Sequence, residues 1–245
     1  NRMLIINADD WGRSRAETDA ALRCCKEGRV TSVSAMVFME DSERSAELAK
    51  ENALDVGLHL NFAEPFSGRG QRSKLHGFHE RTVRYLMGNK YAQLFYNPFL
   101  REEFAYSYHA QSEEFARLYG KPPSHIDGHH HMHLCGNVLL SSLIPAGTRM
   151  RRNFSFWPGE KSLLNRSYRA FVDWWLARRY RLPDYFFDLT QCLQGKKLDR
   201  VAALAKSNNV ELMTHPISQL ESAYLLSNEF QTLFQRVEVS SYVLV

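Results

Sequence analysis

Apolar and polar positions along this chain fall into blocks that predict strands and helices in turn. Met3-Leu4-Ile5-Ile6-Asn7 is a short apolar run, read as a buried strand. It ends at Ala8-Asp9-Asp10-Trp11-Gly12, two carboxylates ahead of a turn glycine. Ser14-x-x-Glu17 has the form of a capping box and opens a helix through about Glu27, with Gly28 as its C-terminal cap. Residues 33–38 predict a second strand, 41–51 a second helix, and 55–61 a third strand with His59 near its end. Such a β-α-β-α-β start is that of a parallel sheet with helical crossovers.

Residues 64–77 are a polar stretch with Pro65, Gly68, Gly70 and Gly77, long enough for a substrate loop. The pattern is ambiguous from there to Asn97. Residues 98–119 read as a helix carrying Phe99, Phe104, Phe115 and Leu118, stopped by Pro122-Pro123 before a strand over 124–128. A short strand over 150–156 follows, then an aromatic-rich helix over 163–180. Its Phe171, Trp174 and Trp175 are expected in the core or in a dimer contact. A strand over 185–189, a helix near 198–207 and a strand over 210–214 restore the alternation. A helix over 229–236 and a closing strand over 237–245 complete it. With no repeat, low-complexity tract or linker, residues 1–245 are expected to form a single domain.

Composition narrows the class. The chain has 245 residues, 44% hydrophobic and 24% charged, the proportions of an ordinary soluble globular protein. The net charge of +4 is mild. Its clusters, Arg149, Arg151 and Arg152, then Arg178, Arg179 and Arg181, read as solvated faces and not as a nucleic-acid surface. Cys24, Cys25, Cys135 and Cys192 show no CxxC spacing and read as reduced thiols, which suggests a cytoplasmic location. No apolar run approaches membrane-spanning length, so no membrane partner is expected. Asn1 leaves open whether a leader precedes the first strand.

The chemistry concentrates in His125-Ile126-Asp127-Gly128-His129-His130-His131-Met132-His133, where imidazoles and a carboxylate crowd nine residues. Neutral imidazole is the commonest metal ligand and, near pH 6.5, a general acid or base. Asp9/Asp10, His59, this cluster and His215 stand at four predicted strand ends, which a parallel barrel gathers onto one rim. One aspartate and two histidines would leave open positions on a metal for water and substrate. A second aspartate could then take the proton of water and a further histidine protonate the leaving group. Three rivals stand beside a metal hydrolase of this kind. One is a phosphoester or amidohydrolase-type enzyme on the same barrel, and another a non-catalytic sugar- or metal-binding protein. The third, a glycosidase using Asp9 and Asp10, is disfavoured because neighbouring residues rarely flank a scissile bond at the required separation. P-loop, GxSxG, Rossmann and HExxH motifs are absent.

Four motifs in order, Asn7-Ala8-Asp9-Asp10-Trp11-Gly12, Gly57-Leu58-His59-Leu60, the stretch His125 to His133, and Thr214-His215-Pro216, resemble the YdjC-like carbohydrate deacetylases over nearly the whole chain. The resemblance implies an α/β fold, a distorted and incomplete TIM-like (β/α) barrel. It also implies divalent-metal-dependent removal of acetyl from an N-acetylated sugar or short chito-oligosaccharide. By that similarity Asp10, His59 and His129 are the metal ligands, Asp9 the base and His215 the acid. Asp127 is a candidate to orient a histidine, and Arg151 the choice for an active-site arginine, with Arg149 and Arg152 as competitors. His130, His131 and His133 are candidates for contacts to the ligands or the substrate. Trp11 departs from the commoner phenylalanine and is expected to reshape the pocket. One ion is implied, Mg2+ or Zn2+, since Asp/His donors also tolerate manganese and cobalt. A homodimer is a further expectation.

Overall fold

A computed structural model describes residues 2–68 and 73–245. Asn1 and residues 69–72, including Gly70, lie outside the described residues. Six strands run side by side in the order β4-β3-β2-β1-β6-β5, and every neighbouring pair is parallel. They are β1 (Met3–Trp11), β2 (Ser32–Ala35), β3 (Val56–Leu60), β4 (Ile126–Gly128), β5 (Tyr185–Asp188) and β6 (Asn209–Thr214). A two-residue strand, β7 (Val239–Ser240), pairs with Leu4 and Ile5 near the start of β1. The sheet curls into an incomplete α/β barrel.

β1, β2 and β3 are buried at almost every position, because helices cover one face and the curled interior the other. Side chains such as Leu4, Ile6, Val33 and Leu58 are therefore taken wholly out of water, about 1.5–3 kcal/mol each. The sheet is irregular where it should close. Beyond β4 it thins to single bridges, Ile126 with Met150 and Arg149 with Arg181. The strand expected over 150–156 is thus reduced to bridges. Its backbone donors go elsewhere, Asn153 N–H to Asp173 Oδ1 and Ser155 N–H to the Phe186 carbonyl.

The crossovers are α1 (Arg15–Lys26), α2 (Ser42–Glu51), α3 (Ser73–Gly88), α4 (Arg101–Tyr119) and the short α5 (Gly136–Leu139). The second half adds α6 (Leu163–Ala177), α7 (Leu189–Gln194), α8 (Leu198–Ala205), α9 (Gln219–Leu225) and α10 (Asn228–Phe234). Ser14 Oγ accepts the Glu17 N–H at the start of α1, and Gly28 just beyond its end has φ +67°. Other expectations are corrected. The polar stretch over 64–77 gives way to α3 at Ser73, so Gly77 is helical. Phe99, read as part of a helix over 98–119, sits in a 3-10 turn ahead of α4 and is 91% exposed. On α6 only Val172 and Leu176 are buried; Phe171, Trp174 and Trp175 point outward. The closing strand shortens to β7 because the chain turns inward at Tyr242, whose ring is buried against Met3 and Ile5.

Candidate metal and active site

The C-terminal ends of β1, β3, β4 and β6 meet at one rim. Successive residues of a strand face opposite sides of a sheet, so Asp9 and Asp10 should point apart. A register shift between Ala8 and Trp11 interrupts β1 there, and Asp10 takes the left-handed conformation with φ +65°. For a non-glycine residue such a conformation costs on the order of 1–3 kcal/mol. It lets both neighbouring carboxylates line the same pocket. Trp11 is not part of that pocket's wall. Its ring is fully buried and its indole N–H donates to the Ser45 carbonyl at 3.1 Å, so the exchange for phenylalanine acts on packing against α2.

His59 on β3 stands directly opposite Asp127 on β4. Asp127 Oδ1 lies 2.7 Å from His59 Nδ1, which makes that nitrogen the donor and leaves Nε2 with a free lone pair. Nε2 faces Asp10 Oδ1 at 3.3 Å, and His129 Nδ1 faces the same oxygen at 3.1 Å. Neither contact has hydrogen-bond geometry, so Asp10 Oδ1 is a buried oxygen without a hydrogen-bond partner. One donor atom from each of Asp10, His59 and His129 lies within 4.8 Å of the others. Three converging lone pairs around an orphaned oxygen suit a small cation, and the mixed N/O donor set is one that zinc and other divalent ions accept. An ion binding here displaces a proton, because the same carboxylates also favour a charged imidazole. Burial works against a charged His59, yet the carboxylates of Asp127 and Asp9 outweigh it and lift its pKa to about 10. Burial likewise opposes ionisation of Asp10, but the two imidazoles pull it far below the usual carboxylate range.

Glycines in two of the motifs are explained by close approach. A Cβ on Gly57 would stand 2.2 Å from the His125 ring, and one on Gly128 would stand 2.5 Å from the His133 backbone nitrogen. Both rings are fully buried. His125 stacks on Tyr242, and His133 donates from Nε2 to the Arg151 carbonyl at 3.1 Å.

Beneath the rim lies a polar cluster centred on Arg151. Its Nη1 and Nη2 donate to Asp9 Oδ2 and Oδ1 at 2.8 and 2.6 Å. Nε donates to Glu211 Oε1 at 2.9 Å, and Nη2 lies 3.1 Å from Asp127 Oδ2. Burial would favour neutral acids here, but the guanidinium holds Asp9 below its ordinary value and Asp127 well below. Tyr242 donates its hydroxyl to Glu211 Oε2, Ser34 donates to Asp127 Oδ2 at 2.5 Å, and Asn7 donates to both Asp9 and Ser34. Of the competing arginines, Arg149 bonds carbonyls of the C-terminal turn and Arg152 bonds Asp173; neither reaches the pocket.

His215, after β6, places Nε2 3.8 Å from Asp9 Oδ2 and from Asp10 Oδ2. Its backbone N–H is held by Glu221 Oε1 at 2.8 Å, while Glu221 Oε2 accepts from Thr190. His130 and His131, both left-handed, complete the pocket wall, which encloses about 230 Å³. Burial and the nearby Arg151 charge depress His131 to about 3. Sequence reasoning missed Glu64, Glu211, Glu221 and Asp188. Glu64 Oε2 lies 3.6 Å from His129 Nε2 and is gripped by Arg13 at 2.7 and 2.9 Å. Its one signal was its place at the head of the polar loop.

Fold and site together define an incomplete parallel (β/α) barrel with a buried Asp-His-His cluster on the C-terminal rim. The YdjC-like protein family matches residues 3–236, and the chain belongs to that family. A chitooligosaccharide deacetylase of Proteus mirabilis (strain HI4320) is 36% identical over 230 residues, spanning 87% of this chain and 81% of the relative. One from Enterobacter sp. (strain 638) is 30% identical over 225 residues, spanning 88% and 82%. A crystal structure from Enterococcus faecalis V583, described as a "putative cellobiose-phosphate cleavage protein", shares the fold. Its TM-score is 0.67 at 21% identity, covering 99% of this chain and 98% of that one.

Proposed function

We propose that this protein is a divalent-metal-dependent deacetylase that removes acetyl from an N-acetylated sugar or short chito-oligosaccharide. The observation that carries the reading is the convergence of Asp9, Asp10, His59, His129 and His215 on one pocket. Relatives named chitooligosaccharide deacetylase support the substrate class. Asp10, His59 and His129 hold the ion, with Asp127 fixing the ring of His59. When bound, a divalent cation polarises the acetyl carbonyl and acidifies water. Asp9, kept ionised by Arg151, takes a proton from water as oxygen adds to the carbonyl carbon. His215 gives a proton to the sugar nitrogen as the C–N bond breaks, leaving acetate and a free amine. His131, held neutral by burial, contributes to the pocket wall where substrate enters.

The test is acetate release across a panel of acetylated mono- and oligosaccharides, with chelator and with metal add-back. Release that stops with chelator and returns with Mg2+ or Zn2+ is expected. Release indifferent to chelator removes the metal from the reading, and no release from any sugar removes the reaction. We also propose that two copies pair, using the outward aromatics of α6. A cytoplasmic site of action fits the four free cysteines. Among the described residues no helix is long and apolar enough to cross a membrane.

A further inference from the structure

A second groove adjoins the candidate pocket. It is walled by Phe154, Phe156 and Trp157 from the irregular segment after Arg151, by Phe187 and Asp188 of β5, and by Lys197. Two contacts join groove and pocket. The Phe154 ring lies 4.5 Å from the ring of His131, which lines the pocket. The Asp188 carboxylate lies within 4.8 Å of an imidazole nitrogen of His215, which lines it from the other side. Each space encloses about 230 Å³, so the groove offers room for one more unit of the size the pocket takes.

The wall is built to stay in place. Trp157 stacks on Phe187 at 5.3 Å with planes 11° apart, and Phe154 stacks on Phe186 at 4.8 Å. The Trp157 backbone N–H donates to Glu160 Oε2 at 2.9 Å, and Glu160 also pairs with Lys197 across the groove. Phe156 and Trp157 nonetheless remain only half-buried. Aromatic carbon bordered by Asp188, Lys197 and the exposed Gln191 suits a ligand with an apolar face and a polar edge. A pyranose ring has that make-up, with C–H bonds on its faces and hydroxyls around its rim.

We propose that this groove holds the neighbouring sugar unit of an oligosaccharide while the acetylated unit that reacts sits over Asp10. The inference rests on the deacetylase reading, and binding is measured apart from turnover so that the two fail separately. Isothermal titration of the metal-loaded Asp9→Asn protein, which keeps the ion but barely turns over, with N-acetylglucosamine and with its β-1,4-linked disaccharide is the experiment. The disaccharide should bind roughly tenfold more tightly, or better. Trp157→Ala should erase most of that preference, and Trp157→Phe, which keeps aromatic carbon, should retain it. Phe156→Ala, which removes aromatic carbon from the same wall, is the second variant should Trp157→Ala not fold, and it should likewise shrink the preference. Equal affinity for the two sugars, binding of neither, or a preference that survives in the folded wall variants overturns the groove's assignment. A preference lost with the wall, where the unsubstituted metal-loaded protein releases no acetate, upholds the groove and overturns the deacetylase.

Discussion

Asp9→Asn and Asp10→Asn separate two jobs given to adjacent carboxylates. Asp9 accepts two guanidinium N–H groups from Arg151, at 2.6 and 2.8 Å, and a third hydrogen bond from Asn7 at 3.0 Å. An amide in its place keeps one acceptor oxygen and turns an NH2 group towards donors. Leaving a buried charge wholly unpaired costs about 3–5 kcal/mol. Here Arg151 retains Glu211 at 2.7 Å and Asp127 at 3.1 Å, so about 1–3 kcal/mol, the cost of one unsatisfied group, is the expected loss. The fold therefore survives. The rate should drop on the order of 10²–10⁴-fold, since an amide cannot accept the proton of water. In barrier terms that is about 2.7–5.4 kcal/mol.

Asp10→Asn behaves differently because Asp10 Oδ1 is the oxygen on which both imidazoles converge. Its amide should bind the ion poorly, so activity falls together with metal content. Elemental analysis of dialysed protein, acetate release and a thermal melt, run on both variants, give the comparison. Asp9→Asn should keep the metal of the parent protein and Asp10→Asn should lose it. Metal content that follows Asp9 instead means base and ligand have been exchanged. Near-parental deacetylation by both variants refutes the mechanism.

Other outcomes follow from the same geometry. Asp127→Asn should weaken metal affinity on the order of 10–100-fold by calorimetry, because Asp127 orients His59; unchanged affinity contradicts that. Chelation should lower the melting temperature and metal should restore it in a concentration-dependent way, as for any ligand bound only by the folded state; a melt blind to metal argues against the site. His79 and His133 are depressed to about 4, chiefly by burial, and so take up protons on unfolding. Stability should fall as pH drops from 6.5 towards 4, by up to roughly 2.7 kcal/mol per pH unit for the two together. Urea titrations at pH 7 and pH 5 read it, and His79→Gln should flatten the slope; a flat parental profile refutes the assignment. Light scattering should give twice the chain mass, and Trp174→Glu on α6 should halve it; a monomeric parent ends the pairing idea.

Much of the fold was legible because long buried strands announce themselves. β1 opens on the apolar run Met3 to Ile6, β3 and β6 set apolar residues on both sides of one buried polar residue, and their parallel pairing follows from the helices between them. Apart from the sixteen-residue α3, the misses share a cause in shortness or irregularity. α7 and α9 span six and seven residues, too few for a 3.6-residue period to show. Residues 150–156 have strand-like composition but satisfy their backbone off the ladder, which only the tertiary structure decides. On α6 the aromatic spacing is helical as read, yet spacing cannot tell which face meets the chain's own core.

The candidate site was legible at its rim, and below it only at Asp127 and Arg151, which the resemblance singled out. Asp9, Asp10, His59, His129 and His215 stand at strand ends, where a parallel barrel must bring them together whatever lies beneath. Arg151, Glu211 and Tyr242 lie on elements with no common motif, and Glu211 is one buried residue in an apolar strand. A carboxylate there looks like an error of pattern until Arg151 is seen between it and Asp9. The same charge argument explains why the lower layer is needed. Asp9, Asp127 and Glu211 crowd one guanidinium; burial raises Glu211 even beside it, and without Arg151 it would push Asp9 and Asp127 towards protonation too. Arg151→Met should therefore cost more activity than Arg151→Lys, which keeps the charge but not the fork. Equal losses in two variants shown to be folded would mean that Asp9 depends on the shape of the guanidinium and not on its charge.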